Sequence, residues 1–451
     1  MLCTSLLFFA PIFPPQEVEA NAIRGRTVAY RLDHIETLDG DSISNGTIVV
    51  RGGVIQKIGQ AIVIPEGAEV RDFRGSDSTA MPPLVVSSTS FPQSATNGSR
   101  SNFAQYRAVD SLWLEDEFWS DLLEQGVTML GVAPKGSYIP GRTSVLDSSS
   151  GAEAPTAVVD DLHLVMTISL SSSAKRTLRD AIKAGEKAIE DEKKAKADWE
   201  AARKAWDEQQ KAKAEAAKKA EKEKAAGETN GKPAPQKSDP PKKEKGKEQK
   251  EPPKEFVPPA IAPPIQPIVE WLQKERLVQV WMSEPADWLH WEDVLGDREL
   301  PWEAVLSVGS RTNFHKIVPR MAESGVRIHV PTSVSFIPDT RIRVNVAAEL
   351  AAAGANLVFL PSSDRSGSIN SWRLQLSKMI QSGMDRELIL KGITLKPAES
   401  MGQEERVQAL KVGAPANFVI FGGDPLDPVS EVELVVEDGK SIWDREKEEE
   451  K

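Results

Sequence analysis

The side chains able to hold a metal or move a proton are few in this chain and poorly spaced for either task. There are five histidines: His34, His163, His290, His315 and His329. No two stand in a His-x-His or i,i+4 arrangement, the spacings that turn two imidazoles toward one ion. Each reads as an ordinary packed or surface residue. His34 falls among short strands, and His163 follows Asp160-Asp161-Leu162 as polar surface. His290 lies between Trp288 and Trp291, His315 leads into a helix, and His329 is inside an apolar strand. The single cysteine, Cys3, sits in an apolar N-terminal segment, so the body of the chain has no thiol nucleophile. Gly-x-Ser-x-Gly and Gly-rich phosphate loops are absent, and Ser366-Gly367-Ser368 reads as a polar loop. Trp271, Trp281, Trp288, Trp291 and Trp302 crowd one region. Such rings can form a platform for a flat ligand, but packing is the simpler reading.

The elements that would position these residues change character along the chain. Residues 22–82 read as short strands and turns, with a hairpin signal where Gly52-Gly53 separates two β-branched runs. From Leu84 the pattern becomes strand–helix–strand. Leu84-Val85-Val86 is a strand, Asp110–Gln125 a helix stopped by Gly126, and Val127–Val132 a strand. The pattern resumes after about 268. Strands are predicted at Leu277–Met282, Ala304–Val308, Val326–Val330 and Leu357–Leu360, with helices at Val346–Ala353 and Trp372–Gln381. Such alternation predicts an α/β fold with a parallel sheet. Ala416–Phe421 and Glu433–Val436 return to short strands.

Between the α/β halves lies a charged insertion, residues 181–267. Its first part, to 226, is rich in Ala, Lys and Glu with i,i+4 opposite charges and no wide apolar stripe. That predicts a solvated projecting helix, with a coiled-coil contact as the sharper alternative. Its second part, 227–267, is rich in Pro, Lys and Glu and predicts a disordered or polyproline-like linker. The formal net charge of −11 argues against nucleic-acid binding. Residues 1–20 include a short apolar run, Leu6–Phe13, and a small-residue pattern at Val18 and Ala20. They read as a leader for secretion or periplasmic export, with a cytoplasmic location as the alternative. No segment is apolar for long enough to span a bilayer as a helix.

Two segments carry a family resemblance. Residues 45–55 (NGTIVVRGGVI), 65–70 (PEGAEV) and 81–84 (MPPL) resemble the opening of imidazolonepropionase-like amidohydrolases. Residues 392–402 (GITLKPAESMG) and 412–426 (VGAPANFVIFGGDPL) are similar to the same family's closing segment. The resemblance implies a TIM-like (β/α)8 barrel over 83–399, interrupted by the insertion. A small composite β-sandwich would be built from 21–82 and 400–445. It also implies an active site at the C-terminal ends of the barrel strands, with divalent metal activating water.

Carried over position by position, the expected ligands are missing. Ser88 and Ser90 stand where the family has His-x-His, Met282 or Glu284 where the next histidine falls, and Val308 at the one after. The catalytic aspartate position falls on Ser362 or Ser363, with Asp364 taking the role if the loop shifts. Neutral hydroxyls, a thioether and a valine do not replace imidazoles at a divalent ion. The resemblance therefore implies a degenerate member without cofactor: a pseudoenzyme that binds or scaffolds. The alternatives are a hydrolase of carbon–nitrogen bonds with a site rebuilt around Glu284, Asp287 or Asp364, metal-loaded if active, and a small-molecule binder with a serine-lined pocket. An unidentified small molecule or protein is the expected partner, and pairing into a homodimer is expected from the family.

Overall fold

The computed structural model describes residues 25–449 apart from 92, 94–96, 114–117, 149–154, 170, 228–251, 309–311 and 338. The expected leader lies outside the described residues, as does residue range 228–251 of the Pro/Lys/Glu-rich segment. No helix among the described residues is long and apolar enough to cross a membrane.

Both ends of the described chain contribute to one eight-stranded sheet. Strands Thr27–Ile35, Ile43–Arg51 and Val54–Gln60 form an antiparallel meander. Its second turn is Gly52-Gly53, with φ of +62° and +79°, the left-handed pair that a tight hairpin needs. Strands Glu69–Asp72 and Thr79–Met81 then run parallel to the first strand. The far end of the chain joins here. Strand Phe418–Phe421 pairs antiparallel with Thr79–Met81, Ile420 opposite Ala80, and Val432–Glu437 and Lys440–Asp444 extend the sheet. Leu32, Ile35, Ile48, Ile55, Phe418, Ile420 and Leu434 form its own core. The Tyr30 ring meets Phe418 edge-on at 5.1 Å.

The α/β portion holds two further sheets. In one, Leu84–Thr89 and Val127–Val132 are parallel, and Ser144–Asp147 and Thr156–Val159 follow antiparallel. In the other, Leu164–Thr167, Val278–Met282, Trp302–Leu306, Arg327–Pro331 and Asn356–Leu360 are all parallel, and Gly141–Arg142 is antiparallel at the edge. Residues 141–147 thus join both sheets, their first half bonded to strand 164–167 and their second half to strand 127–132. At the opposite edges, strand 356–360 packs beside strand 84–89 without a ladder among the described residues. In place of the expected eightfold parallel repeat, the described residues form two sets of parallel strands, two and five, with antiparallel stretches at 141–147 and 156–159.

Alternation along these strands sorts the side chains. Val278, Val280, Met282, Leu306, Val330 and Phe359 are buried in the core shared with the helices. Phe359 lies so close to the helix Arg386–Ile393 that a Cβ on Gly392 would meet its ring at 2.4 Å. Gln279, Trp281, Glu303, Val305, Arg327 and His329 occupy the alternate positions and face the other side of the strands. Trp271, Trp288, Trp291 and Trp302 pack on the helix side, with ring centroids 5.2–5.9 Å apart.

The insertion begins differently from the expectation. Its helix is Ser172–Gly227, and Ala174, Leu178, Ala181 and Ile182 in its first turns are buried. At Gly185 a Cβ would lie 2.7 Å from Leu272, so only glycine admits the neighbouring helix Gln266–Leu272 this closely. The boundary at 181 therefore falls inside a packed helix, because a short apolar stripe precedes the Ala/Lys/Glu-rich run. By its rise per residue the helix is roughly 80 Å long, and most of it beyond residue 186 is exposed. Part of the presumed linker is also ordered. The Trp199 indole N–H donates to the Pro253 carbonyl at 2.9 Å, and its ring lies 5.9 Å from Phe256. Apolar side chains among the prolines give residues 252–256 something to bury.

Candidate functional site

A cavity of about 320 Å3 opens at the C-terminal ends of the parallel strands. One wall is apolar: Trp281, Val305, Val308, Pro331, Leu360 and Ile369. The other is hydroxyl-rich and carries, among the described residues, two charged side chains, Asp364 and Arg365. Asp364 is held from the strand 84–89 side. Thr89 Oγ1 donates to its Oδ1 at 2.9 Å, Ser90 Oγ to its Oδ2 at 2.9 Å, and the Ser90 amide to Oδ1 at 3.2 Å. These three bonds tie the loop after strand 356–360 to strand 84–89, where no ladder exists. Ser88 Oγ turns inward and donates to Gln279 Oε1 at 3.1 Å.

Below the cavity lies a buried polar network. Ser87 Oγ stands 2.8 Å from His329 Nδ1, and His329 Nε2 stands 2.7 Å from Glu303 Oε2. Ser400 Oγ donates to the same carboxylate at 2.8 Å, and Arg327 pairs with its other oxygen. An Nε2–H directed at the carboxylate leaves Nδ1 as acceptor for the Ser87 hydroxyl, and one neutral tautomer satisfies the chain. Burial pushes the Glu303 carboxyl up. The His329 hydrogen bond, the His329 and His163 imidazoles once acid protonates them, and the Arg327 cation outweigh it and hold the group at about 2. His163 is buried nearby, not on the surface, and burial pushes its imidazole down to about 4. It is therefore neutral at physiological pH.

The positions read from the sequence meet different fates. Ser88, Ser90 and Asp364 do come together at the strand ends. Met282 does not: it points into the helix-side core, and its neighbour Trp281 faces the cavity. Val308 lines the cavity as an apolar wall. Glu284 is exposed at the start of helix Pro285–Leu295. Asp287 caps that helix, accepting from the amides of Ser283 and Glu284 at 2.9 and 3.0 Å. Neither acid lines the cavity. Glu303, Gln279 and Ser87 were not singled out from the sequence, and His163 was read there as polar surface. The available signal was polar residues at alternate positions of otherwise apolar parallel strands, which have to be bonded when both faces are buried.

Parallel strands with a polar mouth at their C-terminal ends, and a sheet made from both flanks, can be compared with solved structures. An amidohydrolase from Thermotoga maritima MSB8 superposes with a TM-score of 0.61 at 18% identity, over 93% of this chain and 100% of its own. The chain has the amidohydrolase fold. Similarities with lower scores are to a prolidase (TM-score 0.46, 14% identity, 93% of this chain and 100% of that one) and a triazine hydrolase variant (0.44, 14%, 94% and 97%). No family model and no curated protein matches the chain.

The amidohydrolase fold raises the matter of metal, and the donor set decides whether this mouth fits one. A divalent ion needs several imidazole or carboxylate donors with free lone pairs on one centre. Here Ser88 and Ser90 offer neutral hydroxyls that already donate elsewhere, Val308 offers none, and Met282 is turned away. Asp364 is the one carboxylate among the described lining residues, and both its oxygens accept from the protein. Among the described residues no three His, Cys, Asp or Glu side chains gather around a point. The mouth does not fit a metal.

Proposed function

We propose that this chain is a degenerate member of the amidohydrolase superfamily whose strand-end cavity binds a small molecule without metal-assisted hydrolysis. Its two α/β sheets, joined by 141–147 and laced by the Asp364 bonds, form one barrel wall. The observation that carries the reading is the commitment of Asp364. The carboxylate nearest the place of the family's proton acceptor has three donors on its two oxygens, and the side chains around it are hydroxyls and hydrocarbon. Three of its roughly four lone-pair sites are taken, and each bond to the charged form opposes the protonation that a general base must undergo.

The test is metal content by plasma mass spectrometry, on protein purified without chelators from cells grown with zinc, manganese and iron, alongside a hydrolysis assay on dipeptides and cyclic amides. We expect metal far below one ion per chain and no turnover. Near-stoichiometric metal with turnover would overturn the reading.

One observation favours a second reading. Ser87, His329 and Glu303 have the residue types and contacts of a nucleophile, base and orienting acid. Ser87 is only 2% exposed and does not line the cavity, so substrate has no route to it in this conformation. Covalent capture of Ser87 by a fluorophosphonate, located by peptide mass spectrometry, would establish a serine hydrolase instead.

A further inference from the structure

We infer that the cavity selects a small organic monocarboxylate with an aromatic or branched apolar body; this rests on the reading of the mouth as a ligand site and specifies its ligand. Two unpaired donors sit in its lining. The Trp281 indole N–H is buried without a hydrogen-bond partner. The Arg365 guanidinium is exposed at the rim, and among the described residues no side chain or carbonyl accepts from it. By contrast, the oxygens of Asp364 and the Ser88 hydroxyl hydrogen are already engaged within the protein. The strongest uncommitted groups in the described lining are thus donors, one of them cationic. A ligand oxygen would give the indole N–H the partner it lacks, and an anionic oxygen would also neutralise Arg365, making a charge-assisted bond. The rest of the wall, Val305, Val308, Pro331, Leu360 and Ile369, together with the Trp281 ring, is apolar and accepts hydrocarbon. A cationic donor on one wall, and hydrocarbon with a single N–H donor on the other, define an amphipathic acid. A cation would meet Arg365, and a polyol would leave most of its hydroxyls against hydrocarbon.

The experiment is isothermal titration of the full chain with phenylacetate, phenylacetamide and acetate, supported by melting curves. Phenylacetate is expected to bind about ten-fold or more tightly than either comparator, phenylacetamide losing the charge and acetate losing the body. Arg365→Gln, at an exposed position, should weaken phenylacetate about ten-fold and leave phenylacetamide unchanged. Trp281→Phe keeps the ring, removes the donor, and should weaken both. Equal binding of acid and amide, an unchanged phenylacetate affinity in Arg365→Gln, or no binding of either aromatic probe would each overturn the inference. Metal and turnover in the earlier assay would sink the non-catalytic reading alone and leave the acid-over-amide preference standing.

Discussion

Asp364 sits beside the position of a catalytic acid, yet three of its roughly four lone-pair sites already accept from the protein. Asp364→Ala should release Thr89 and the Ser90 hydroxyl and amide together, costing about 1–3 kcal/mol in urea denaturation. Glu303 has a larger consequence. Glu303→Gln takes one carboxylate from the part-buried Arg327, which keeps Glu399, and uncharges the acceptor of His329 and Ser400, so the loss should approach about 3 kcal/mol. The same carboxyl sets an acid limit. Its folded value is held near 2 against an ordinary 4.5, so it contributes stability above about pH 4.5 that drains away as pH falls toward 2. Melting temperature between pH 5 and pH 2.5 should fall more steeply in the wild type than in Glu303→Gln. At this scale the sequence was half legible. The serines at 88 and 90 and the aspartate at 364 were placed by resemblance. Met282, one of two candidates for the next ligand position, faces the helix-side core while its neighbour Trp281 faces the cavity, since in a strand one residue means the opposite face. The buried network was missed because each member lies on a different strand, and only tertiary packing brings them together.

Elements were the most legible part. Helix Trp372–Gln381 has the expected bounds, and the strands at 127–132 and 278–282 lie within a residue of expectation, since their hydrophobic periods are strong. The long helix was legible in its exposed run and hidden at its root. Leu178 is fully buried there, so Leu178→Ala should cost about 2–5 kcal/mol. Lys204→Ala, 26 residues further along on an exposed turn, should change stability by less than about 0.5 kcal/mol. Trp199→Ala should raise amide hydrogen exchange across 252–256 without altering exchange in the parallel strands.

The molecule as a whole is clamped across its two parts by Arg406. Its guanidinium bonds both Asp147, on strand 144–147, and Glu437, at the end of terminal strand 432–437. Burial and the neighbouring Asp147 push the Glu437 carboxyl up to about 7, against the pull of Arg406. A carboxyl raised on folding stabilises most below its ordinary value near 4.5 and loses that contribution as pH rises through about 7. His163, depressed to about 4, acts oppositely in an overlapping window, so the Glu437 effect is isolated by difference. Relative to wild type, Glu437→Gln should gain stability of order 1 kcal/mol between pH 5 and pH 8, read from melting curves at each pH.

The pairing of strand 79–81 with strand 418–421 has a consequence in time. The partners are separated by more than 330 residues, and at roughly 5–20 residues per second a ribosome takes on the order of 17–70 s to cover that distance. For that interval the first strands have made their hairpin but lack the neighbour that covers one edge and closes their core. An open edge of this kind is a template for pairing with another nascent chain. The terminal sheet is therefore the last part to be completed and the part most dependent on chaperones during synthesis.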